Sequence, residues 1–346
     1  MKIGIITFHW ATNYGAVLQS FALQTYLETL GYEVEIINYV PFRNKVVSAI
    51  TRFLKRDFSY FKREHRISKF RKKYLHLSKK YSFQNSLKKI KQRYQFAIAG
   101  SDQIWNVSFT LQKGKKPNLS YFLSFVSDET IRISYAASFG SIKVPEDYVC
   151  LVKQELNKFN YISVREKSGV SIINDIGFEA QLVCDPTFLL ETKFYNELIF
   201  NNNSADSELF SFILHNDSNG MAIVSSVLGL TKFKHCSKET YSVSEWLSHI
   251  KNSSIVVTNS FHCIVYSLLF NKPFIAVGIK GSGMNDRLVT LLKTYGLDNR
   301  FIINNDEELI KKALNSPIDW DSVNETTKLM QAEGKSFLNK ALTNSN

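Results

Sequence analysis

Short apolar runs alternate with longer amphipathic stretches along this chain, an order typical of α/β proteins. Residues 2–8 form an apolar run that predicts a buried strand, and residues 17–30 carry apolar side chains at helical spacing. Gly31 suits the end of that helix, and residues 34–39 predict a second strand. The chain therefore opens with a Rossmann-like β-α-β unit whose polar turn, residues 9–16, follows the first strand.

Polar residues recur where the next predicted strands end. The apolar run 94–99 is followed by Gly-Ser-Asp-Gln-Ile-Trp-Asn, the run 132–136 by Ala-Ser-Phe-Gly, and the run 182–184 by an Asp-Pro turn. Arg165 also falls where a predicted strand ends. Because ligands of open α/β sheets bind at the carboxyl ends of strands, these turns are candidate ligand loops.

The second half of the chain repeats the pattern. Residues 191–208 have few apolar side chains in phase and predict a crossover between domains, after which a strand restarts at 209–214. Residues 255–277 form the fullest β-α-β unit, with a turn that places His262 beside small polar residues at the start of a helix. Such a helix start favours an anion. Residues 321–342 predict a last helix, which we expect to pack back on the first domain.

The predicted fold is thus α/β, with two Rossmann-like domains that face a cleft. We expect an N-terminal domain over residues 1–190, a C-terminal domain over 191–320 and a returning helix over 321–346. The 346 residues suffice for two domains, and no apolar run is long enough to span a membrane. The apolar run that follows Met1 and Lys2 is too short for the hydrophobic region of a signal peptide, so we expect a cytoplasmic protein.

The net charge of +12 is concentrated in one insert, residues 41–93. From Arg43 to Arg93 there are 18 basic residues against Asp57 and Glu64, a net charge of +16, with aromatic residues interleaved. We predict two or three amphipathic helices there. A solvated helix face, an anionic membrane surface and an acidic or lipid-linked acceptor remain open as explanations. The insert matches no nucleic-acid-binding module, so nucleic acid is not expected as a partner.

Several chemistries have little support in the sequence. The first turn lacks the G-x-G-x-x-G fingerprint of dinucleotide sites, so no cofactor is expected. The four cysteines are scattered without a C-x-x-C pair, which argues against a metal site and a disulfide framework and predicts four buried thiols. The G-x-G at residues 281–283 is weak evidence for a phosphate loop.

Three motifs resemble those of the polysaccharide pyruvyl transferase family. They are N-Y-G-A-V-L-Q-S-F-A-L-Q at 13–24, A-G-S-D-Q-I-W-N at 99–106 and T-N-S-F-H-C-x-x-x-S-L-x-x-x-K-P-F at 258–274, and S-V-R-E-K-S-G at 163–169 also matches. The resemblance runs from residue 3 to about residue 297. It implies a GT-B-like architecture and transfer of the pyruvyl group of phosphoenolpyruvate onto two hydroxyls of a sugar, giving a cyclic ketal. The implied acceptor is a polysaccharide repeat unit or its lipid-linked precursor.

The resemblance also implies roles for individual residues. His262 and Arg165 would bind the donor together with Asn259 and Ser260, while Asp102 and Asp185 join His262 as catalytic candidates. Many relatives have arginine where this chain has Ser260, so Arg287 and Arg165 are the candidates for supplying the missing positive charge to the donor. The candidate acceptor contacts are Asn13, Tyr14, Gly15, Ser101, Asp102, Gln103 and Trp105.

Simpler explanations stay open for the same residues. His262 can be a helix-start histidine, Asp102 a cap, Asp185 a turn former, Arg165 a partner of Glu166 and Gly15 a backbone requirement. Two other functions remain as well: a nucleotide-sugar-dependent glycosyltransferase of the same architecture, and a non-enzymatic protein that binds anionic polymers or membranes through the insert.

Overall fold

A computed structural model of the chain describes residues 1–42, 50–54, 56–90, 94–110, 118–199, 208–215, 217–236, 240–281 and 285–343. The chain divides into two compact units, one comprising Met1–Leu190 with Met330–Asn346 and the other Glu191–Leu329. Each unit is an α/β domain with a parallel sheet.

The described part of the first unit contains the following strands and helices ahead of its C-terminal segment. In chain order they are β1 (Lys2–Ile6), α1 (Tyr14–Thr29), β2 (Glu33–Ile36), α2 (Phe58–Tyr74), α3 (Gln84–Leu87), β3 (Phe96–Ala99), α4 (Val107–Thr110), β4 (Ile131–Ser134), α5 (Glu146–Leu156), β5 (Ser163–Val164), α6 (Lys167–Ile176) and β6 (Gln181–Leu182). Short 3-10 turns lie at Leu119–Phe122 and Pro186–Phe188.

The second unit begins with α7 (Thr192–Asn196) and continues with β7 (Glu208–Phe212), α8 (Ser218–Leu230), β8 (Lys234–Cys236), α9 (Val243–Asn252), β9 (Ile255–Thr258), α10 (Phe261–Leu269), β10 (Phe274–Val277), α11 (Asn285–Thr294), β11 (Phe301–Ile302) and α12 (Glu307–Asn315). The last helix, α13 (Trp320–Thr343), starts in this unit and ends in the first one.

Both sheets reverse their strand order at one point. The order is β2-β1-β3-β4 in the first unit, where isolated bridges continue the sheet towards β5 and β6, and β11-β10-β9-β7-β8 in the second. The order reverses between β1 and β3 and between β7 and β9. Open parallel sheets bind ligands at such a switch point, on the carboxyl side of the strands.

Apolar side chains from helices and strands fill the core of each unit. Trp105 lies in the first core, stacked on Phe122 with ring centroids 5.4 Å apart. In the second unit, β9 and β10 are buried along their whole length, as expected for central parallel strands covered on both faces.

Local sequence signals place many element ends correctly. Gly31 follows α1 with a φ of +86°, and Ser242 forms a capping box with Glu245 at the start of α9. The prediction of four buried thiols is wrong, because Cys150 is exposed on α5 and Cys236 is only half-buried at the end of an edge strand. Part of the insert, residues 43–49, 55 and 91–93, lies outside the described residues. No helix in the described ranges has the length and apolar character to cross a bilayer.

Candidate functional site

The carboxyl ends of β1 and β3 are tied together at the switch point of the first unit. Thr7 Oγ1 donates a hydrogen bond to the carbonyl of Ser101 at 2.8 Å, and Gln19 Nε2 donates to Thr7 Oγ1 at 2.8 Å. All three residues are fully buried. These hydrogen bonds, from Gln19 on α1 through Thr7 after β1 to Ser101 after β3, therefore fix the start of the 100–106 loop.

Arg165 is the centre of a buried charge cluster beside this loop. Its Nη1 donates to Asp185 Oδ2 at 2.6 Å and to Ser101 Oγ at 3.1 Å, and its Nη2 lies 3.4 Å from Asp102 Oδ1. A third carboxylate, Glu166, lies 3.7 Å from Arg165 Nε. Burial alone would lower the pKa of Arg165, but the three carboxylates outweigh it and hold the pKa above its usual value.

Asp185 is saturated with donors. Its Oδ2 accepts from Arg165 and from Ser101 Oγ, and its Oδ1 accepts from the amide and the hydroxyl of Thr187 at 3.1 and 2.8 Å. Its side chain has no exposed surface. Asp185 thus caps the 3-10 turn that follows it, the turn-forming role left open by the sequence, while also pairing with Arg165.

Asp102 is the more accessible carboxylate of the cluster. About one fifth of its side chain is exposed, and its Oδ1 accepts from the amide of Gln103 at 2.8 Å. Its backbone has a φ of +80°, a conformation that few residues other than glycine adopt. An aspartate held in this conformation at a strand end is a candidate for a group whose position matters for function.

Left-handed backbone occurs at three strand ends in the described chain. Asp102 follows β3, Ala136 follows β4 with a φ of +54°, and His215 follows β7 with a φ of +65°. Such residues cost of order 1–3 kcal/mol each and persist where the surroundings over-determine them. All three residues lie at the carboxyl ends of strands, which supports this edge of each sheet as the place where function resides.

The N-cap and first turn of α1, directly after the β1–α1 loop, carry three of the predicted acceptor contacts. Asn13 begins α1, and its side chain accepts from the amide of Ala16 at 3.2 Å. Tyr14 and Gly15 lie in the first helical turn and are buried. Gly15 does not have a positive φ, so no left-handed turn requires glycine at this position.

A helix of the basic insert makes hydrogen bonds to the β1–α1 loop. Arg71, buried on α2, donates from Nη1 to the carbonyls of Trp10 and Ala11 at 3.0 and 3.2 Å. Its Nη2 donates to Glu64 at 2.5 Å, and Glu64 accepts from Thr12 Oγ1 at 2.6 Å. Glu64 and Arg71, both on α2, thus bind the loop that follows β1 through its backbone carbonyls and Thr12.

The remaining predicted acceptor contacts divide into a surface residue and a core residue. Gln103 is partly exposed and accepts from Asn106 Nδ2 at 2.8 Å. Trp105 is buried, donates to the carbonyl of Tyr121 at 3.2 Å, stacks on Phe122 and contacts Phe139 at a tilt of 51°. In this structure its ring is part of the core.

In the second unit, Asn259 joins the ends of β7 and β9. Its Oδ1 accepts from the amide of Leu214 at 2.7 Å, and its Nδ2 donates to the carbonyl of Leu214 at 3.1 Å. Ser260 is the N-cap of α10, and its amide donates to Thr258 Oγ1 at 3.0 Å. These bonds fix the turn that precedes His262.

His262 lies in the first turn of α10, where backbone amides have no acceptor within the helix. It is buried, and its ring is perpendicular to that of Phe261 at 5.2 Å. Arg287, on α11, places its guanidinium 5.7 Å from the centre of the Phe261 ring. The structure therefore places Asn259, Ser260 and His262 in one turn, with Arg287 against the adjacent Phe261 ring, and joins Ser101, Asp102, Arg165 and Asp185 by direct contacts in the first unit.

Sequence reasoning missed several residues that organise these loops. His9 is buried after β1, with its Nε2 3.2 Å from Asn38 Oδ1, and Thr7, two residues earlier, accepts a hydrogen bond from Gln19 of α1. Glu64 and Arg71 were counted only as part of a charged insert. The apolar positions around Arg71 at helical spacing, Ile67 and Phe70, were the available signal that it lies on a buried face.

The two parallel sheets, their switch points and these polar edges define a two-domain, GT-B-like enzyme fold. The chain belongs to the polysaccharide pyruvyl transferase family, whose model matches residues 13–281. It is therefore a transferase of polysaccharide biosynthesis, and the resemblance inferred from the motifs is confirmed. A comparison with curated proteins found no match.

Solved structures confirm the predicted fold class. A putative UDP-N-acetylglucosamine 2-epimerase from Listeria monocytogenes aligns with a TM-score of 0.60 at 6% identity, over 99% of this chain and 96% of its own. The UDP-GlcNAc 2-epimerase from Methanocaldococcus jannaschii gives 0.54 at 11% identity, over 98% and 99%. The glycotransferase of kitacinnamycin gives 0.52 at 11% identity, over 99% and 97%. At such identities the likeness shows the fold alone.

Proposed function

We propose that the protein transfers the pyruvyl group of phosphoenolpyruvate onto two hydroxyls of a sugar in a polysaccharide repeat unit or its lipid-linked precursor. The observation that carries the proposal is the family's T-N-S-F-H motif, which forms the turn from β9 into α10 at a sheet switch point. A helix start with a histidine and a nearby arginine suits a ligand that carries a phosphate and a carboxylate.

The reaction needs a proton to be delivered and another to be removed. The methylene carbon of phosphoenolpyruvate gains a proton, which leaves an oxocarbenium-like centre at the neighbouring carbon. One sugar hydroxyl adds to that carbon, the bond between the carbon and the bridging oxygen breaks so that phosphate leaves with this oxygen, and the second hydroxyl then adds to close the ketal. One hydroxyl proton balances the proton gained by the methylene carbon, and the other leaves with phosphate or solvent.

The two residue groups suit different parts of this reaction. His262 is the candidate for phosphate binding or for protonation of the methylene carbon, since histidine titrates near neutral pH. Arg287 is the candidate for the charge that Ser260 cannot supply, and Arg165 remains a predicted donor ligand. Asp102 is the better candidate base for a sugar hydroxyl, because Asp185 has its oxygens occupied.

Purified protein incubated with phosphoenolpyruvate and candidate lipid-linked oligosaccharides tests the proposal. The expected product carries the pyruvyl mass increment and resists periodate at the bridged hydroxyls, with release of one phosphate per turnover. A panel of nucleotide sugars is the control. Saturable turnover of a nucleotide sugar without any pyruvyl product would replace this proposal with the glycosyltransferase alternative.

The insert supports a membrane-bound acceptor as the finer form of this function. Several of its described apolar side chains are exposed: Phe53, Leu54 and Phe58 are 67, 75 and 68% exposed, and the neighbouring Arg52 and Arg56 are exposed as well. Aromatic rings among cations suit the headgroup region of an anionic bilayer. Contact with the inner face of the membrane would bring the transferase to a lipid-linked sugar.

A further inference from the structure

Three side chains with metal-binding atoms meet in the second unit, away from its polar edge. Glu208 is the first residue of β7, Cys236 is the last residue of β8 and His249 lies in α9. One ligand atom from each lies within 4.8 Å of the other two, and Cys236 Sγ is 3.2 Å from His249 Nδ1. All three residues are partly exposed.

The sheet register explains why they meet. Phe210 pairs with Cys236 across neighbouring parallel strands. Glu208 precedes Phe210 by two residues and so points to the same face of the sheet. His249 covers that face, with its ring stacked on Phe210 at 5.6 Å and in edge contact with Tyr241 at 5.1 Å. The imidazole is therefore held in place by aromatic packing.

We propose that Glu208, Cys236 and His249 form a binding site for a zinc ion. A thiolate, an imidazole and a carboxylate make a ligand set typical of zinc. With zinc–sulfur and zinc–nitrogen bonds of about 2.3 and 2.0 Å, tetrahedral ligands stand roughly 3.5 Å apart, close to the present sulfur–nitrogen distance. The carboxylate needs a shift of roughly 1 Å to complete the set.

Zinc binding would displace the thiol proton to solvent and leave a fourth position for water. Glu208 lies four residues before the carboxyl end of β7, about 13 Å along the strand, and Cys236 pairs with Phe210, two residues before that end. The role of the site is therefore structural: the ion would join two strands and a helix of the second unit. The proposal does not depend on pyruvyl transfer.

The test uses the full-length protein after removal of metals with a chelator. Zinc affinity is measured by competition with a chromophoric chelator, and cobalt is added to a parallel sample to follow the thiolate-to-metal charge-transfer absorption. We expect one zinc ion per chain, a cobalt–thiolate band and a rise in melting temperature with zinc. Cys236→Ser should abolish the band, and His249→Gln should weaken zinc binding by at least about 10–100-fold, the loss typical of removing even an outer partner of a ligand.

Cys150→Ser is the matched control, because Cys150 is an exposed thiol on the first unit. This variant should bind zinc and cobalt as the wild type does. Absence of stoichiometric zinc binding by the wild type would overturn the proposal, and so would a cobalt band that survives Cys236→Ser. Glu208→Gln distinguishes a three-residue site from a Cys–His pair: unchanged affinity in this variant would remove the carboxylate from the site and overturn the proposal as stated.

Discussion

Arg165 contacts three acidic side chains with one positive charge, so its mutation affects stability as well as activity. Its guanidinium is nearly inaccessible to solvent and contacts Asp185, Asp102 and Glu166. Removing one partner of a buried ion pair typically costs about 3–5 kcal/mol, because the other charge stays buried. Loss of activity in Arg165→Ala would therefore mix unfolding with loss of a substrate contact.

Asparagine substitutions at the two aspartates separate catalysis from stability. Asp102→Asn should lower kcat by about 10²–10⁴-fold with little change in stability, because a general base is lost, while the side chain is partly exposed and asparagine tolerates a positive φ. Asp185→Asn should instead lower the free energy of unfolding by about 3–5 kcal/mol, because Arg165 loses its shortest ion pair. Turnover assays and urea denaturation measure both effects. Near wild-type turnover in Asp102→Asn would exclude it as the base.

The sequence predicted which residues line the edge but not how they pair. Motifs selected Asp102, Arg165 and Asp185, because each follows a predicted strand. Their contacts join loops separated by 20 to 84 residues in the chain, and local patterns carry no information about such pairs. For the same reason, the sequence did not predict that Glu64 and Arg71 bind the β1–α1 loop.

At the scale of elements, α2 has two faces with different tasks. Ile67, Phe70 and Arg71 are buried, whereas Lys69, Lys72 and Lys73 are exposed. Charge composition alone groups all four basic residues as one membrane-facing set. The structure separates Arg71 from that set, because its guanidinium binds the backbone of the β1–α1 loop.

Two variants of α2 should therefore lose different properties. Changing Lys69, Lys72 and Lys73 to Gln should weaken binding to vesicles of anionic lipid by roughly 100-fold at low salt, at about 1 kcal/mol per cation. Hydrogen exchange in residues 9–13 of the β1–α1 loop should stay unchanged in this variant. Arg71→Gln should keep vesicle binding but raise hydrogen exchange in residues 9–13 and reduce turnover, because a buried charged donor is lost. Co-sedimentation at low and high salt and exchange mass spectrometry provide the measurements.

These measurements can contradict either assignment, membrane binding by the exposed lysines or loop binding by Arg71. Absence of salt-sensitive vesicle binding by the wild type would leave the insert as a solvated face. Unchanged exchange in residues 9–13 of Arg71→Gln would show that the loop holds its conformation without α2. Phosphoenolpyruvate binding should survive in the triple lysine variant, which checks that its fold is intact.

At the scale of the whole molecule, the strand–helix alternation was enough to predict the fold class. Central parallel strands are apolar throughout, so their positions were visible in the sequence, and helix ends carried recognisable caps at Ser242 and Gly31. The cluster of Glu208, Cys236 and His249 was not visible, because its members come from three elements and have no ligand spacing. Sequence spacing detects only those metal sites whose ligands are close in the chain.

The returning helix gives a test of packing that depends on residues far apart in the chain. Gly334 of α13 is buried in the first unit, and a Cβ there would lie 2.5 Å from Tyr135 Oη and 3.0 Å from Cys184 Sγ. Tyr135 and Cys184 are themselves buried, and burial raises the pKa of the Cys184 thiol to about 12 and the pKa of Tyr135 well above its usual value, so both groups are neutral at pH 7. The helix therefore has no room for a larger residue at this point.

Alanine substitutions at two helical glycines should have opposite effects on stability. Gly334→Ala should lower the free energy of unfolding by about 1–3 kcal/mol through overpacking against Tyr135, although alanine is the better helix former. Gly229→Ala is the matched control in α8, because no atom beyond the adjacent helix backbone lies within 4 Å of its Cβ position, and it should raise the free energy of unfolding by up to about 1 kcal/mol. Thermal and urea denaturation of the two variants decide the matter. A stabilised Gly334→Ala protein would mean that the α13 segment does not pack against Tyr135 and Cys184 as closely as described.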